Sequence, residues 1–165
     1  MTTDQNGIPL DLTAIEAALG RMVYRAGNLE AVVRYVGGQL ATTHKELQKF
    51  DGVPAGQLVK EAKVLAEKAA ADEGITEAER DELVKLLEDV ASHLESRNVY
   101  IHGVWLTRAN GEPFVMLSQK KLKVRTRPLA PEEIGKLSDA LLDLSNNIFD
   151  WTERVLGEEE AVVAL

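Results

Sequence analysis

The sequence predicts a mainly α protein, a helical bundle of about five helices with a small β-hairpin or three-stranded insertion before the last helix. Three observations lead to this prediction. Apolar residues recur at spacings of three and four through most of the chain, which is typical of amphipathic helices. After Gly103 short apolar runs flank an Asn-Gly pair, which is typical of a tight turn between strands. Helical spacing then returns at Pro131 and continues to Val155.

Five segments have the helical spacing. Gly27 and Asn28 are expected to separate the first two, because both residues weaken a helix. Thr76 with Glu79 three residues later is a capping-box pattern that opens the fourth helix. Pro131, followed by two glutamates, suits the start of the fifth. The predicted helices cover residues 10–22, 29–50, 58–69, 76–102 and 131–155.

Length and composition indicate one domain over residues 1–165, with the β insertion around 103–127 and flexible ends. Of the residues, 45% are hydrophobic and 28% are charged, which fits a globular protein and argues against general disorder. The chain has no cysteine, which excludes a disulfide framework, a thiolate metal site and a cysteine nucleophile. A cytoplasmic protein without a signal peptide or a membrane span is expected.

The net charge of −8 is unevenly distributed. Five of the 19 lysines and arginines fall within the nine residues QKKLKVRTR. In a strand, the basic residues at 121, 123, 125 and 127 would share one face, which would make a basic ridge able to follow an RNA backbone. A solvated edge strand that lysines protect from aggregation would have the same pattern. The residues of this ridge are Lys120, Lys121, Lys123, Arg125 and Arg127.

The segment ESRNVYIHGVWL, residues 95–106, places strongly polar groups where the fourth helix meets the insertion. Arg97 occupies a position at which the apolar spacing of the fourth helix predicts a leucine. Its guanidinium should therefore face the bundle or a second subunit. A guanidinium removed from water needs an anion. A carboxylate such as Asp11 or Glu16 could supply it, and an RNA phosphate would serve equally well because the guanidinium fork matches phosphate oxygens.

His102 follows Arg97 by five positions, which in an unbroken helix means about 7.5 Å along the axis and about 140° around it. Gly103 is expected to end the helix and let the histidine swing toward the same pocket. The carbonyl-rich helix end would favour the protonated ring, and histidine can act as acid or base near neutral pH. Asn98 adds a neutral donor and acceptor that can orient a phosphate or the imidazole.

The six residues RNVYIH, from Arg97 to His102, resemble the signature of the HEPN superfamily, an Arg-x4-His motif with a polar residue directly after the arginine. The resemblance extends to the context, since the motif ends a late helix of a bundle and leads through Gly103 into a hairpin. It implies a metal-independent endoribonuclease. HEPN proteins include toxins of toxin-antitoxin and antiviral defence systems, and they typically dimerise with their motifs facing each other.

The resemblance implies catalytic roles for Arg97, Asn98 and His102. The RNA 2′-hydroxyl would attack the adjacent phosphate, His102 would move protons and Arg97 would stabilise the transition state. Asn98 would position the phosphate or the histidine. No cofactor and no metal are expected, and the expected partners are RNA, a second copy in a homodimer, and an antitoxin or regulatory protein. The basic ridge would contact RNA.

A second hypothesis is a noncatalytic dimeric helical-bundle interaction protein. In that case the same polar residues form a network that fixes helix register, and the basic ridge meets an acidic protein. A hydrolase with a serine nucleophile or paired carboxylates is the third alternative, but the sequence has no GxSxG, no phosphate-binding glycine loop and no persuasive acid pair. It is set aside.

Overall fold

The protein is described by a computed structural model over residues 12–119 and 123–157. Lys120, Lys121 and both predicted flexible ends lie outside these residues. Within them, five α-helices and three strands confirm the mainly α fold class and the three-stranded form of the insertion. The elements are α1 (Leu12–Leu40), α2 (His44–Leu47), a 3-10 turn (Gln48–Phe50), α3 (Ala55–Ala71), α4 (Glu77–His102), β1 (Val104–Thr107), β2 (Pro113–Gln119), β3 (Lys123–Pro128) and α5 (Pro131–Leu156).

The three strands form an antiparallel sheet in the order β1-β2-β3. Val104 lies opposite Met116, and Leu117 lies opposite Arg125. The turn between β1 and β2 contains Gly111 with φ of 87°, a conformation that glycine adopts without steric cost. The predicted Asn-Gly turn is therefore confirmed, and β1 is left as an edge strand.

Helix α1 is continuous across Gly27 and Asn28, so the predicted break between two helices is wrong. The apolar stripe runs without interruption through Met22, Ala26 and Leu29, and all three are fully buried. Burying a large apolar side chain contributes about 1.5–3 kcal/mol, whereas a glycine inside a helix costs about 1 kcal/mol. The continuous stripe therefore outweighs the low helix propensity of the pair.

The second predicted helix ends at Leu40, ten residues earlier than expected. Thr43 then caps α2, and its hydroxyl accepts a hydrogen bond from the Glu46 N–H. The chain folds back so that Phe50 is buried against α1, where a methyl group on Gly37 would overlap the Phe50 ring. Gly37 thus permits this close packing.

The chain divides into two compact units whose boundaries fall inside α1, α4 and α5. Among the described residues, the first unit contains 12–27 with 92–119 and 123–142, and the second contains 28–91 with 143–157. The Arg97–His102 motif and the sheet belong to the first. The prediction of one domain stays a prediction. The first unit has an apolar core that includes Ile15, Met22, Leu94, Val99, Val115, Leu129, Ile134 and Leu141.

A carboxylate in the second unit has a strongly lowered pKa. Glu46 accepts hydrogen bonds from Lys68 Nζ over 2.7 Å and from the Thr42 and Thr43 backbone N–H groups over 2.9 and 3.1 Å. The bond from Lys68, followed by the backbone bond from Thr42, lowers the pKa of Glu46 from 4.5 to about 2. All three contacts favour the ionised carboxylate.

Glu46→Gln is expected to destabilise the protein near neutral pH by an amount that shrinks as the medium becomes acidic. The folded-state pKa of Glu46 is lower than the unfolded value, so its contribution is fully present above about pH 4.5 and disappears as the pH falls toward about 2. Urea unfolding of both proteins at pH 7, 4 and 3 measures the difference. A difference that stays constant or grows in acid would contradict this account of Glu46.

Candidate nucleic-acid site

Arg97 and Asn98 lie on the last two turns of α4 with half-buried side chains. The Nη1 atom of Arg97 donates a hydrogen bond to the Asn98 side-chain oxygen over 3.0 Å. Because a guanidinium can only donate, this contact fixes the amide with its oxygen toward Arg97 and its NH₂ group pointing elsewhere. The Nε atom of Arg97 is buried, so part of the guanidinium is shielded from water. The pair is a rigid, donor-rich group of the kind that binds phosphate.

His102 is the last residue of α4, and its side chain is exposed. The helix is regular to this point, since the Gly103 N–H donates to the Val99 carbonyl over 3.0 Å. In a regular helix His102 points about 140° away from Arg97. Gly103 ends α4 directly after His102, as predicted, but the helix stays regular to that point, so its backbone does not turn His102 toward Arg97. Arg97 and His102 of one chain project from different sides of α4.

Gly103 serves close packing rather than a left-handed turn. Its φ lies outside the positive range, and a methyl group on its Cα would overlap the Val115 side chain and the Val99 carbonyl oxygen. Val115 is fully buried in β2. The missing side chain thus lets β2 approach the end of α4 and fixes the start of β1 directly after His102.

Gly103→Ala is expected to lower the free energy of unfolding by about 1–3 kcal/mol, the usual cost of overpacking a core. Neither the Val99 backbone nor the buried Val115 side chain can move away without disturbing α4 or β2. Urea denaturation measures the change. Gly135→Ala, in α5 where the space beside the glycine is open, is the matched control and should stabilise by about 0.4–1 kcal/mol. A Gly103→Ala protein as stable as the parent would contradict the close approach.

The described part of the basic ridge packs against α4. Arg125 forms a salt bridge with Glu95 over 2.8 Å, and the Nη2 atom of Arg127 donates to the Ser96 hydroxyl over 3.1 Å. Lys123 begins β3. Arg125 is therefore neutralised by a carboxylate, whereas Arg127 contacts an uncharged hydroxyl. Arg127 thus keeps more positive charge for an anionic ligand than Arg125 does.

A polar cleft of about 260 Å³ opens beside these contacts in the first unit. Three of its residues, His93, Ser96 and Tyr100, share one face of α4 because they are separated by three and four positions. Sequence analysis did not predict this cleft, although the spacing of polar groups along α4 was a signal for it. The remaining lining comes from β3 and α5, and the full set is His93, Ser96, Tyr100, Arg127, Glu133, Lys136, Leu137 and Ala140.

Tyr100 contributes a neutral hydroxyl at the base of this cleft. The ring is buried, and the hydroxyl donates to the Pro128 carbonyl over 3.2 Å. Burial raises the pKa of Tyr100, the Glu133 carboxylate raises it further, and the charge of Arg127 acts in the opposite direction. Tyr100 therefore stays protonated and offers oxygen lone pairs rather than a negative charge.

An apolar surface adjoins the motif. All four residues of β1 are exposed, including Val104 at 60% and Trp105 at 41%. Trp105 Nε1 donates to the Tyr100 carbonyl over 3.4 Å, which connects the strand to α4. Ile101 on α4 is also exposed. An edge strand with unpaired backbone groups and exposed apolar side chains is suited to pair with another strand.

Residues 12–119 and 123–157 contain no group of three or more His, Asp or Glu side chains placed to hold a metal ion. In the same ranges, no helix is long and apolar enough to cross a membrane.

The chemistry of Arg97, Asn98 and His102, and of the polar cleft, is the basis for assigning a function. No protein-family model, no curated protein and no solved structure matches the chain.

Proposed function

We propose that the protein is a metal-independent endoribonuclease of the HEPN type that acts as a homodimer. The observation that supports this most is the hydrogen-bonded pair of Arg97 and Asn98 on α4, followed one and a half turns later by the exposed His102. An accessible imidazole can transfer protons, a half-buried guanidinium can stabilise phosphorane charge and an oriented amide can position the phosphate, which together suit cleavage by an internal nucleophile.

The reaction begins when the imidazole of His102 takes the proton of an RNA 2′-hydroxyl. The 2′-oxygen then bonds to the adjacent phosphorus, and Arg97 stabilises the negative charge on the phosphorane-like transition state. The bond from phosphorus to the 5′-oxygen breaks, and the imidazolium of His102 returns its proton to this oxygen as it leaves. The products are a 2′,3′-cyclic phosphate and a 5′-hydroxyl. The nucleophile belongs to the substrate, so the chemistry needs no metal.

The position of His102 supports a dimer rather than a monomer as the active form. Within one chain His102 and Arg97 point about 140° apart, so a single phosphate is not easily contacted by both. A two-fold axis near the end of α4 would bring His102 of a second copy to Arg97 and Asn98 of the first. The exposed β1 strand directly after His102 supplies apolar surface for such an association.

RNA would approach across the ridge formed by Lys120, Lys121, Lys123, Arg125 and Arg127. Local positive charge of this kind attracts a polyanion even on a protein with a net charge of −8. A cytoplasmic location fits an RNA substrate. A ribonuclease of this type would act as a toxin or defence component, and an antitoxin or regulatory protein would restrain it.

The direct test incubates the purified protein with mixed RNA in excess EDTA and identifies the product ends. We expect cleavage that is insensitive to the chelator, with 2′,3′-cyclic phosphates and 5′-hydroxyls at the new ends. Cleavage that EDTA abolishes, or products with 5′-phosphates, would overturn the proposed chemistry.

The second candidate is a noncatalytic dimeric interaction protein, and the exposed apolar surface of β1 favours it. Val104, Trp105 and Leu106 would form the contact, while Arg97 and Asn98 would hold the end of α4 in one conformation. In this case the purified protein self-associates but leaves RNA intact in the experiment above. Removal of Arg97 would then lower the melting temperature.

A further inference from the structure

We infer that the polar cleft between α4, β3 and α5 binds the phosphate and ribose of a ribonucleotide, either free or at the end of an RNA strand. This site is separate from the proposed cleavage site, and its binding does not depend on catalysis. The inference rests on the net charge of the cleft, on the hydrogen bonds that hold its donors in place, and on its size.

The cleft has a net positive charge on an acidic protein. Arg127 and Lys136 supply two cations, and Glu133 supplies one carboxylate, which Lys136 contacts over 2.5 Å. Arg127 has no recorded carboxylate partner among the described residues, in contrast to Arg125 on the same strand. An anion that enters the cleft therefore meets the guanidinium of Arg127, whose positive charge is not neutralised by a carboxylate of the described residues.

The donors around Arg127 are arranged for a phosphate. The hydroxyl oxygen of Ser96 accepts from Arg127 Nη2 over 3.1 Å, which fixes the guanidinium plane and leaves the Ser96 O–H proton for another acceptor. The remaining N–H groups of Arg127 can donate to two phosphate oxygens in the fork geometry. The imidazole of His93, one turn from Ser96 on α4, adds a further polar group to the same wall.

The other wall distinguishes a ribonucleotide from inorganic phosphate. Glu133 would repel a bare anion, but its carboxylate can accept hydrogen bonds from ribose hydroxyls. Leu137 and Ala140 supply an apolar surface next to it for the sugar. A volume of about 260 Å³ is below the pockets of about 300–1,000 Å³ that enclose drug-sized ligands. The cleft therefore suits a phosphate with its ribose, and the base would remain outside.

Calorimetric titration of the full chain with adenosine 5′-monophosphate, adenosine and inorganic phosphate tests the inference. We expect the monophosphate to bind, adenosine to bind at least about tenfold more weakly, and phosphate to bind more weakly than the nucleotide. Arg127→Ala should weaken monophosphate binding about tenfold, the loss expected when a charged hydrogen-bonding group is removed. Arg21→Ala, which removes an exposed arginine of α1, is the matched control and should leave the affinity within about twofold.

Lys136→Ala provides a second variant because Lys136 is exposed and its side chain pairs only with Glu133 among the described residues. Lys136→Ala should also weaken binding of the monophosphate. It does not remove the contact between Arg127 and Ser96, so it tests the inference even if Arg127→Ala disturbs β3. Equal affinity in the parent, Arg127→Ala and Lys136→Ala would overturn the inference, as would adenosine binding as tightly as its monophosphate.

An unmodified RNA hexamer with a 5′-phosphate, titrated into the His102→Ala protein, which should not cleave it, separates the two sources of ligand. Hexamer binding that is tighter than that of the mononucleotide, that requires the 5′-phosphate and that is lost in Arg127→Ala assigns the cleft to RNA ends. Binding of the mononucleotide alone assigns it to free ribonucleotides. His102→Ala should keep nucleotide binding in either case, so a failure of the ribonuclease proposal is distinguishable from a failure of this one.

Discussion

We expect His102→Ala to lower the rate of RNA cleavage by about 10²–10⁴-fold, the range that follows removal of a general acid or base. Arg97→Ala should lower it by about 10²–10³-fold, because the guanidinium stabilises charge that develops only in the transition state. Alanine has the highest helix propensity, so both substitutions suit positions within α4. Initial rates on a short fluorescent RNA in excess EDTA measure the two effects.

Two matched controls separate a catalytic loss from a general one. His44→Ala removes an exposed histidine of α2, and Arg21→Ala removes an exposed arginine of α1. Both should retain full activity. Circular dichroism shows whether each variant is folded. If Arg97→Ala and His102→Ala cleave RNA as fast as these controls, the proposed site is wrong.

Mixing the two inactive variants tests whether the site is shared between subunits. In a composite site, Arg97 of one copy works with His102 of the other. A mixed dimer of Arg97→Ala and His102→Ala then contains one site with both residues intact and one with neither, so about half of the activity per mixed dimer should return. Sites built within a single chain would regain nothing, because each chain lacks one residue.

If the parent protein leaves RNA intact, stability decides between the two candidate functions. A lower melting temperature or a lost dimer in Arg97→Ala would identify the Arg97 and Asn98 pair as a structural network. The exposed β1 surface would then be the candidate binding site, and the next experiment would search for a protein partner.

Local patterns were sufficient to predict much of the fold. The Thr76 and Glu79 capping box forms with side-chain to backbone distances of 2.8 and 3.2 Å, and it needs only residues of one turn. The prediction of a break at Gly27 and Asn28 was wrong because it considered only helix propensity. The free energy gained by burying the apolar stripe of α1 depends on the residues packed around it. Capping is local, whereas helix length is decided by tertiary packing.

The two candidate sites differ in the same way. Arg97, Asn98 and His102 were recognisable because they lie within six consecutive residues. The cleft combines Ser96 with Arg127 and Lys136, which come from three elements that the chain brings together only after folding. The contacts of Arg127 also depend on the register of β3 against β2, and sequence patterns do not specify that register to one residue.

Trp151→Ala is expected to lower the free energy of unfolding by about 3–5 kcal/mol, the usual cost of removing a buried tryptophan. The side chain is 1% exposed, and its Nε1 atom donates to the Glu79 carbonyl over 3.1 Å within the second unit. Trp151→Phe keeps most of the apolar volume and loses the hydrogen bond, so it should cost less. Urea unfolding measures both changes, and an unchanged m-value shows that only the stability has changed.

The same measurement decides whether the apolar face of α5 that contains Trp151 packs in the core or against a second subunit in solution. Phe149 is 42% exposed and stacks on Tyr35 with ring centroids 6.1 Å apart, so Phe149→Ala is the control and should cost much less than Trp151→Ala. If the face containing Trp151 instead met a second subunit, the stability of the parent would rise with protein concentration. A cost below about 1 kcal/mol for Trp151→Ala would show that this face does not form the core.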